Sequence, residues 1–472
     1  MAEILCIPES RTHLKKITKQ ISNYSNKSVA HIKLHVWAYI ILPLLTIITF
    51  RFNFLGSTTS AVSTQGGAIW PWRADHARPF TRLIVATDQA DTYYPWDVSV
   101  RRSLRNFHLP FWNHNSFGGT PLWTNGQPSP LYPPRLITSF LMGAPLQHDI
   151  FILFHILLGG FGMYFLCRKM KFQTAGSIIA ALFWMFAPMT FAWMQFEFYL
   201  PILALLPWIF YGCVKLTQLL SDNKLNNVIA RIKFVFPTVV LISFLQTMLF
   251  LGSNIQFVMF VMVPVAIYLF FAIFKIGFEK GSNVSKPERN ILRRVIDSGF
   301  NSAIFSGVIA GITLLLSATA WLPIAIFASK SNRVDFTYDQ FVGPTNIIPK
   351  DVFLKNTFWH LPYPYISTHL FQMTFMGSVA ALFALLGFFN FSKKQRQNKL
   401  TYVRILTVST MLIVIGTPLA WFIYSFVPGM HYLTALGRML FLWTFALCIL
   451  AALGADTIIN SASKFAQQLI RK

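Results

Sequence analysis

The chain has 472 residues, 54% of them hydrophobic and only 12% charged, where a soluble globular chain carries about 25% charged residues. So few charges could not keep 47 Phe and 13 Trp in water, which excludes an ordinary soluble enzyme and leaves one membrane bundle. A net charge of +24 would suggest nucleic acid in a soluble protein, but here the basic residues are spread through short segments between apolar runs, with no recognition helix or zinc-finger spacing. The charge therefore reads as topological placement, with no nucleic-acid partner.

In chain order, residues 1–33 form a basic tail with Arg11, Lys15, Lys16, Lys19, Lys27 and Lys33. A first apolar run from Leu34 to Phe50 follows, read as an uncleaved span. Further spans are predicted at about 150–167, 174–193, 201–217, 234–252, 255–274, 302–326, 369–390, 403–424 and 436–457, each near the roughly 17–25 residues needed to cross a bilayer. The shorter run from Leu136 to Gln147 contains Pro145 and reads as an interfacial or re-entrant helix, or as an eleventh element.

The charges orient these spans. The segments "RKMK" (168–171), Lys215 to Lys233, Lys275 to Arg294 and "KKQRQNK" (393–399), with Lys464, Arg471 and Lys472 in the tail at 458–472, are basic. The turns "QFEFYL" (195–200), "GSN" (252–254) and "SFVPGMHYLT" (425–434) contain no Lys or Arg. That is the positive-inside pattern, and it predicts about ten spans within 34–457 and both termini in the cytoplasm. Two long loops, 51–135 and 329–368, then fall outside. The first holds eight Arg and no Lys and is too long for a passive connector, so it is expected to carry short helices along the membrane surface. "VSVRRSLRNF" (98–107) fits one, with Val98, Leu104 and Phe107 opposite a basic face.

The first loop is dense in groups that carry chemistry. Asp88, Asp91 and Asp97 lie close together, and Tyr93, Tyr94, Trp96, Trp112 and Trp123 supply aromatic surface that either stacks on sugars or anchors the loop at the headgroups. A carboxylate there can act as general base toward a hydroxyl or hold a divalent cation against a phosphate. "GG" at 118–119 and "NG" at 125–126 mark tight turns.

Asp88, "YYPW" (93–96), "LPFWN" (109–113), "FGG" (117–119) and "LYPP" (131–134) resemble, in order, the first exterior loop of the bacterial YfhO-like membrane protein family. That family stands within the GT-C-fold membrane glycosyltransferases. "FHILLGGFGMYFLCRKM" (154–170), "LLSATAWLPIAIFASKSNR" (315–333), "FMGSVAALFALLGFF" (375–389) and "GRMLFLWTFALCILAALGAD" (437–456) are similar to its later spans, so the resemblance covers most of 80–456. The resemblance implies an all-α GT-C-like bundle with a large first exterior loop. It also implies transfer of a sugar from a polyprenyl-phosphate donor to an envelope glycan, lipid or protein on the exterior face of a bacterial inner membrane.

By the same match Asp88 is the first choice for base or metal-linked carboxylate, with Asp91 second. Magnesium or manganese is the cofactor such a carboxylate would hold. Arg438, Arg333 and His431 are candidates for the donor phosphate. An ionisable group near the outer end of the last span, as Arg438 is, calls for a functional hypothesis. Tyr94, Trp96, Trp112, Asn113, Glu197 and His360 are candidates for the acceptor or sugar rim, with Glu197 otherwise a solvated turn residue. The competing readings are a lipid or glycan transporter or flippase, which should show polar groups near mid-membrane, and a non-catalytic assembly factor. Gln246, Asn254 and Gln256 are the mild exceptions in otherwise apolar spans.

Overall fold

The computed structural model describes residues 35–51, 92–194, 196–222, 228–282, 291–330, 336–343, 346–350, 353, 376–390 and 394–471. They form an all-α bundle with one small hairpin. In chain order the helices are α1 (His35–Thr49), α2 (Tyr94–Arg105), α3 (Pro133–Leu141), α4 (Ala144–Lys169), α5 (Thr174–Met185), α6 (Pro188–Trp193), α7 (Leu200–Asp222) and α8 (Val228–Gly252). They continue with α9 (Ile255–Ser282), α10 (Ile291–Leu316), α11 (Ala318–Ala328), α12 (Tyr338–Phe341), α13 (Ser378–Phe388), α14 (Lys394–Val414), α15 (Pro418–Phe426) and α16 (Leu440–Arg471). Among the described residues, seven helices are long and apolar enough to cross a membrane, or eight if a bent pair is one span; α1, α11 and α13 are shorter apolar helices.

α10 shows which solvent the bundle is built for. Its buried residues are Ser298, Ser302, Ile309 and Thr313, while Phe300 and Leu315 stand 67% and 77% exposed. Hydroxyls face inward and large apolar side chains face out, the reverse of a water-soluble helix. In lipid this is the stable arrangement, since packing and hydrogen bonds rather than water exclusion hold helices together. Thr313 Oγ1 donates to Gln246 Oε1 at 2.7 Å, so the polar residue in the middle of α8 ties it to α10.

At the centre α4 packs on α5 and α7, and α16 packs on α5, α13 and α14. The α13–α16 crossing is the tightest: a Cβ built on Gly454 would lie 1.9 Å from the Phe383 carbonyl oxygen, and one on Gly387 the same distance from that of Leu450. α1 lies on α4 through Tyr39 and Phe161, with ring centroids 5.7 Å apart, and through His35 Nδ1, 2.6 Å from the Tyr164 hydroxyl.

The helix ends differ from the sequence reading in instructive ways. The run predicted at 403–424 is a pair, α14 up to Leu400–Val414 and then α15, bent by 93°. Gly416 at φ +73° makes the corner and Pro418 opens the next helix, where its missing N–H is no loss. The run at 174–193 crosses as one span interrupted before Pro188, and that at 302–326 divides at Ser317. α10 begins at Ile291 and α16 continues to Arg471, because basic residues prolong a helix readily beyond the apolar stretch. The Leu136–Gln147 segment is the end of α3, a break at Met142–Gly143 and the start of α4.

In the first loop, Trp112–Asn113 pairs antiparallel with Thr120–Pro121, with the "FGG" turn inside the hairpin. α2 covers most of the segment expected to lie on a membrane surface, but its buried face is Asp97, Ser99 and Val100. Phe107 lies beyond the helix, 89% exposed, with Val98 and Leu104 half-buried.

Candidate functional site

Four segments distant in sequence bring ionisable side chains together at one end of the bundle. Asp97 comes from the first turn of α2, Arg135 from α3, His148 from the start of α4, and Glu197 from the 3-10 turn Glu197–Tyr199 that leads into α7. Tandem prolines at 133 and 134 fix where α3 begins and so set Arg135 into its first turn.

Arg135 forks between the two carboxylates: Nη1 donates to Asp97 Oδ1 and Nη2 to Glu197 Oε2. His148 Nδ1 is 2.5 Å from Glu197 Oε1, the other oxygen of that carboxylate. Asp97, Arg135 and Glu197 are no more than 2% exposed and His148 is 5%. The guanidinium carbon stands 5.1 Å from the centre of the Phe151 ring. A buried charge is tolerated only when paired and hydrogen-bonded, and this geometry supplies both.

A second layer lies beneath. His155 Nδ1 is 2.6 Å from the Phe151 carbonyl oxygen, and its Nε2 is 3.0 Å from the Tyr132 hydroxyl. A carbonyl can only accept, so Nδ1 carries the hydrogen and Tyr132 donates to Nε2. Tyr132 in turn packs against Gly252, where an added Cβ would lie 2.9 Å from its ring.

The environment sets the charge states. Burial, and then the nearby Glu197 carboxylate, hold the Asp97 carboxyl well above the usual carboxylate range against the pull of Arg135. Burial acts to lower Arg135, but Glu197 and Asp97 more than offset it, and the guanidinium stays charged. Burial likewise pushes the Tyr132 hydroxyl upward, so it remains a donor.

Of the residues singled out from sequence, Glu197 lies inside this cluster, buried rather than solvated. Asp97, grouped at first with Asp88 and Asp91, lies there too. Asp88, Asp91, Arg333 and His360 fall outside the described residues. Trp96 is half-buried, 5.4 Å edge-on from Tyr93, and Tyr94 is half-buried at the start of α2. Trp112 is 47% exposed, whereas its neighbour Asn113 is buried, its amide bonded to Ser116 Oγ at 2.9 Å and to the Asn115 N–H at 3.0 Å.

Arg438 lies in the 3-10 turn Leu436–Met439 that leads into α16. Its guanidinium lies 5.7 Å over the Trp193 ring and bonds Gln256 Oε1 at 3.4 Å. Trp193 in turn packs on Phe196, the residue before Glu197, at 5.2 Å. The His431 ring lies 4.3 Å from that of Tyr432, tilted by 48°, in the turn before Arg438. Sequence reasoning missed Arg135 and His148. The available signal was an ionisable residue flanking an apolar run.

Asp97, His148 and Glu197 each offer one ligand atom, all within 4.8 Å of one another, so the cluster is geometrically compatible with a divalent cation. No family model matches the chain, and no similar curated protein was found. The protein is therefore a multi-pass membrane protein with a buried ligand cluster consistent with a catalytic or binding site.

Proposed function

We propose that the chain is a membrane glycosyltransferase that moves a sugar from a polyprenyl-phosphate donor to an envelope acceptor on the exterior face of a bacterial inner membrane. The observation that supports this reading best is the buried Asp97–Arg135–Glu197–His148 cluster where the first long loop enters the bundle. α4 starts at the cluster and ends at Arg168 and Lys169, so by the positive-inside rule the cluster faces the exterior. A nucleotide sugar has no supply there, whereas a polyprenyl donor arrives laterally through the membrane.

On this reading an acceptor hydroxyl attacks C1 of the donor sugar from the side opposite the phosphate. The C1–O bond to the phosphate breaks, and polyprenyl phosphate departs with the bonding electrons. Asp88, six positions before α2 begins, accepts the hydroxyl proton, with Asp91 the second choice. The buried cluster holds α2, α3, α4 and the turn before α7 in register. Arg438, over Trp193 at the same end, supplies the positive charge for the phosphate.

The test is transfer of labelled sugar from polyprenyl-phosphate monosaccharides to a panel of envelope acceptors by purified protein in liposomes. Wild type is run beside Asp88→Asn and Glu197→Gln. Transfer that disappears in folded Asp88→Asn supports the reading, and transfer unchanged in both variants removes these residues from it. A second reading, a lipid or glycan transporter, is favoured by the 93° break between α14 and α15, because discontinuous helices line transport sites. Donor movement across the liposome bilayer without sugar transfer would select it. Neither activity from folded protein would leave an assembly factor.

A further inference from the structure

We infer that Asp97, His148 and Glu197 bind one divalent metal ion, of the manganese or zinc class rather than magnesium, with Arg135 as its built-in orienting partner. The inference concerns the same cluster but does not rest on sugar transfer.

Three features carry it. The donor atoms come from three separate elements and already lie within 4.8 Å of one another. Two ligands about 2.1 Å from an ion stand at most about 4.2 Å apart, so small side-chain adjustments close the set on a metal. Arg135 uses one oxygen of each carboxylate, Asp97 Oδ1 and Glu197 Oε2. The candidate donors are then one carboxylate oxygen each from Asp97 and Glu197 and a ring nitrogen of His148, with both carboxylates held in orientation by the same guanidinium. Partners of this kind are how metal ligands are normally fixed.

Polar groups beside the cluster also lack partners of their own. Gln147, directly before His148 and 1% exposed, has no hydrogen-bond partner at either Oε1 or Nε2. Ser139 Oγ, one turn after Arg135 on α3, is likewise buried and unpartnered. Orphaned buried polar atoms call for an ion or an ordered water, and a hydrated metal supplies both.

The donor set narrows the metal. Magnesium favours oxygen ligands in a near-ideal octahedron, and an imidazole nitrogen among the donors shifts preference toward manganese or zinc. On binding, the ion takes the place of the hydrogen between His148 Nδ1 and Glu197 Oε1. That proton moves to His148 Nε2 or leaves to solvent, and any proton held on the Asp97 carboxyl is released to solvent as it becomes a ligand.

The experiment is titration of chelator-treated, detergent-purified full chain with Mn2+, followed by the loss of the free-ion EPR signal, with no donor or acceptor present. One tight Mn2+ per chain is expected, displaced by Zn2+, with Mg2+ at least tenfold weaker. His148→Ala and Glu197→Gln should each weaken binding tenfold or more, and the surface variant Asp297→Asn should leave it unchanged. Because a cluster variant can misfold, electron spin-echo modulation of the wild-type complex serves as the second readout and should show one directly bound imidazole nitrogen. No stoichiometric Mn2+ or Zn2+, or a bound Mn2+ without nitrogen coupling, overturns the assignment. Sugar transfer without metal binding would overturn this inference and leave the transferase reading standing; metal binding without transfer would do the reverse.

Discussion

Replacing Arg135 by Met in metal-free protein isolates the energetics of the cluster. The guanidinium is 1% exposed and is shared by two carboxylates that are no more than 2% exposed. Its methionine replacement keeps much of the packing against Phe151 but leaves Asp97 and Glu197 facing each other without the intervening charge. Removing one partner of a buried pair costs about 3–5 kcal/mol, and at about 1.4 kcal/mol per decade that is a hundredfold or greater loss in the folded-to-unfolded ratio. The assay is equilibrium unfolding in mixed micelles, with wild type, Arg135→Met, the double variant Asp97→Asn/Glu197→Gln, and the triple variant. The triple variant should recover most of the loss, because an uncharged, shape-matched cluster no longer contains an unpaired ion. Arg135→Met as stable as wild type, or a triple variant no better than the single, would refute the claim that the cluster is dry and charge-paired.

Three further outcomes follow from other contacts. Gly454→Val should destabilise the bundle by about 1–3 kcal/mol, read as a lowered thermal midpoint in detergent, because its Cβ would meet the Phe383 carbonyl and α13 would have to move away. Tyr132→Phe should cost about 1–3 kcal/mol in the same unfolding assay, since it leaves the buried His155 Nε2 without its donor. The Asp97 carboxyl is raised in the folded state, so the folded protein binds that proton more tightly than the unfolded chain. This contribution is therefore fully present below the ordinary carboxylate value near 3.8 and is lost as pH rises from there through the folded value. Stability of chelator-treated protein measured against pH should show this decline, and Asp97→Asn should flatten it.

The bundle was legible in the sequence because each apolar run is long and most runs are followed by basic residues. The 93° corner was not, since hydropathy continues through Ile415–Thr417 and only Gly416 and Pro418 marked it. Glu197 could be picked out as an acidic residue in a turn without Lys or Arg, but its burial depends on α2 and α3 folding over it. Arg135 sits at the border of a polar loop, where a charge is ordinary, and nothing local distinguishes it from Arg101 or Arg102. His148 lies at the mouth of a span and gains meaning only when Glu197, 49 residues later, arrives at its ring. Such contacts are set by helix packing between distant segments, which periodicity does not encode.

Two residues of the second long loop, Phe336 and Asn346, are fastened to the segment that leads to Arg438. The Phe336 N–H donates to the His431 carbonyl at 2.9 Å, and the Asn346 side chain and carbonyl accept from the N–H groups of Ala435 and Gly437, each at 2.9 Å. Ala435 is held there in a left-handed backbone conformation, φ +56°. Phe336, Asn346 and the backbone beside the arginine are thus tied together. Displacement of Phe336 or Asn346 is therefore passed to the backbone that holds the guanidinium over Trp193, so these contacts act as a lever on the positive charge rather than as a cover above it.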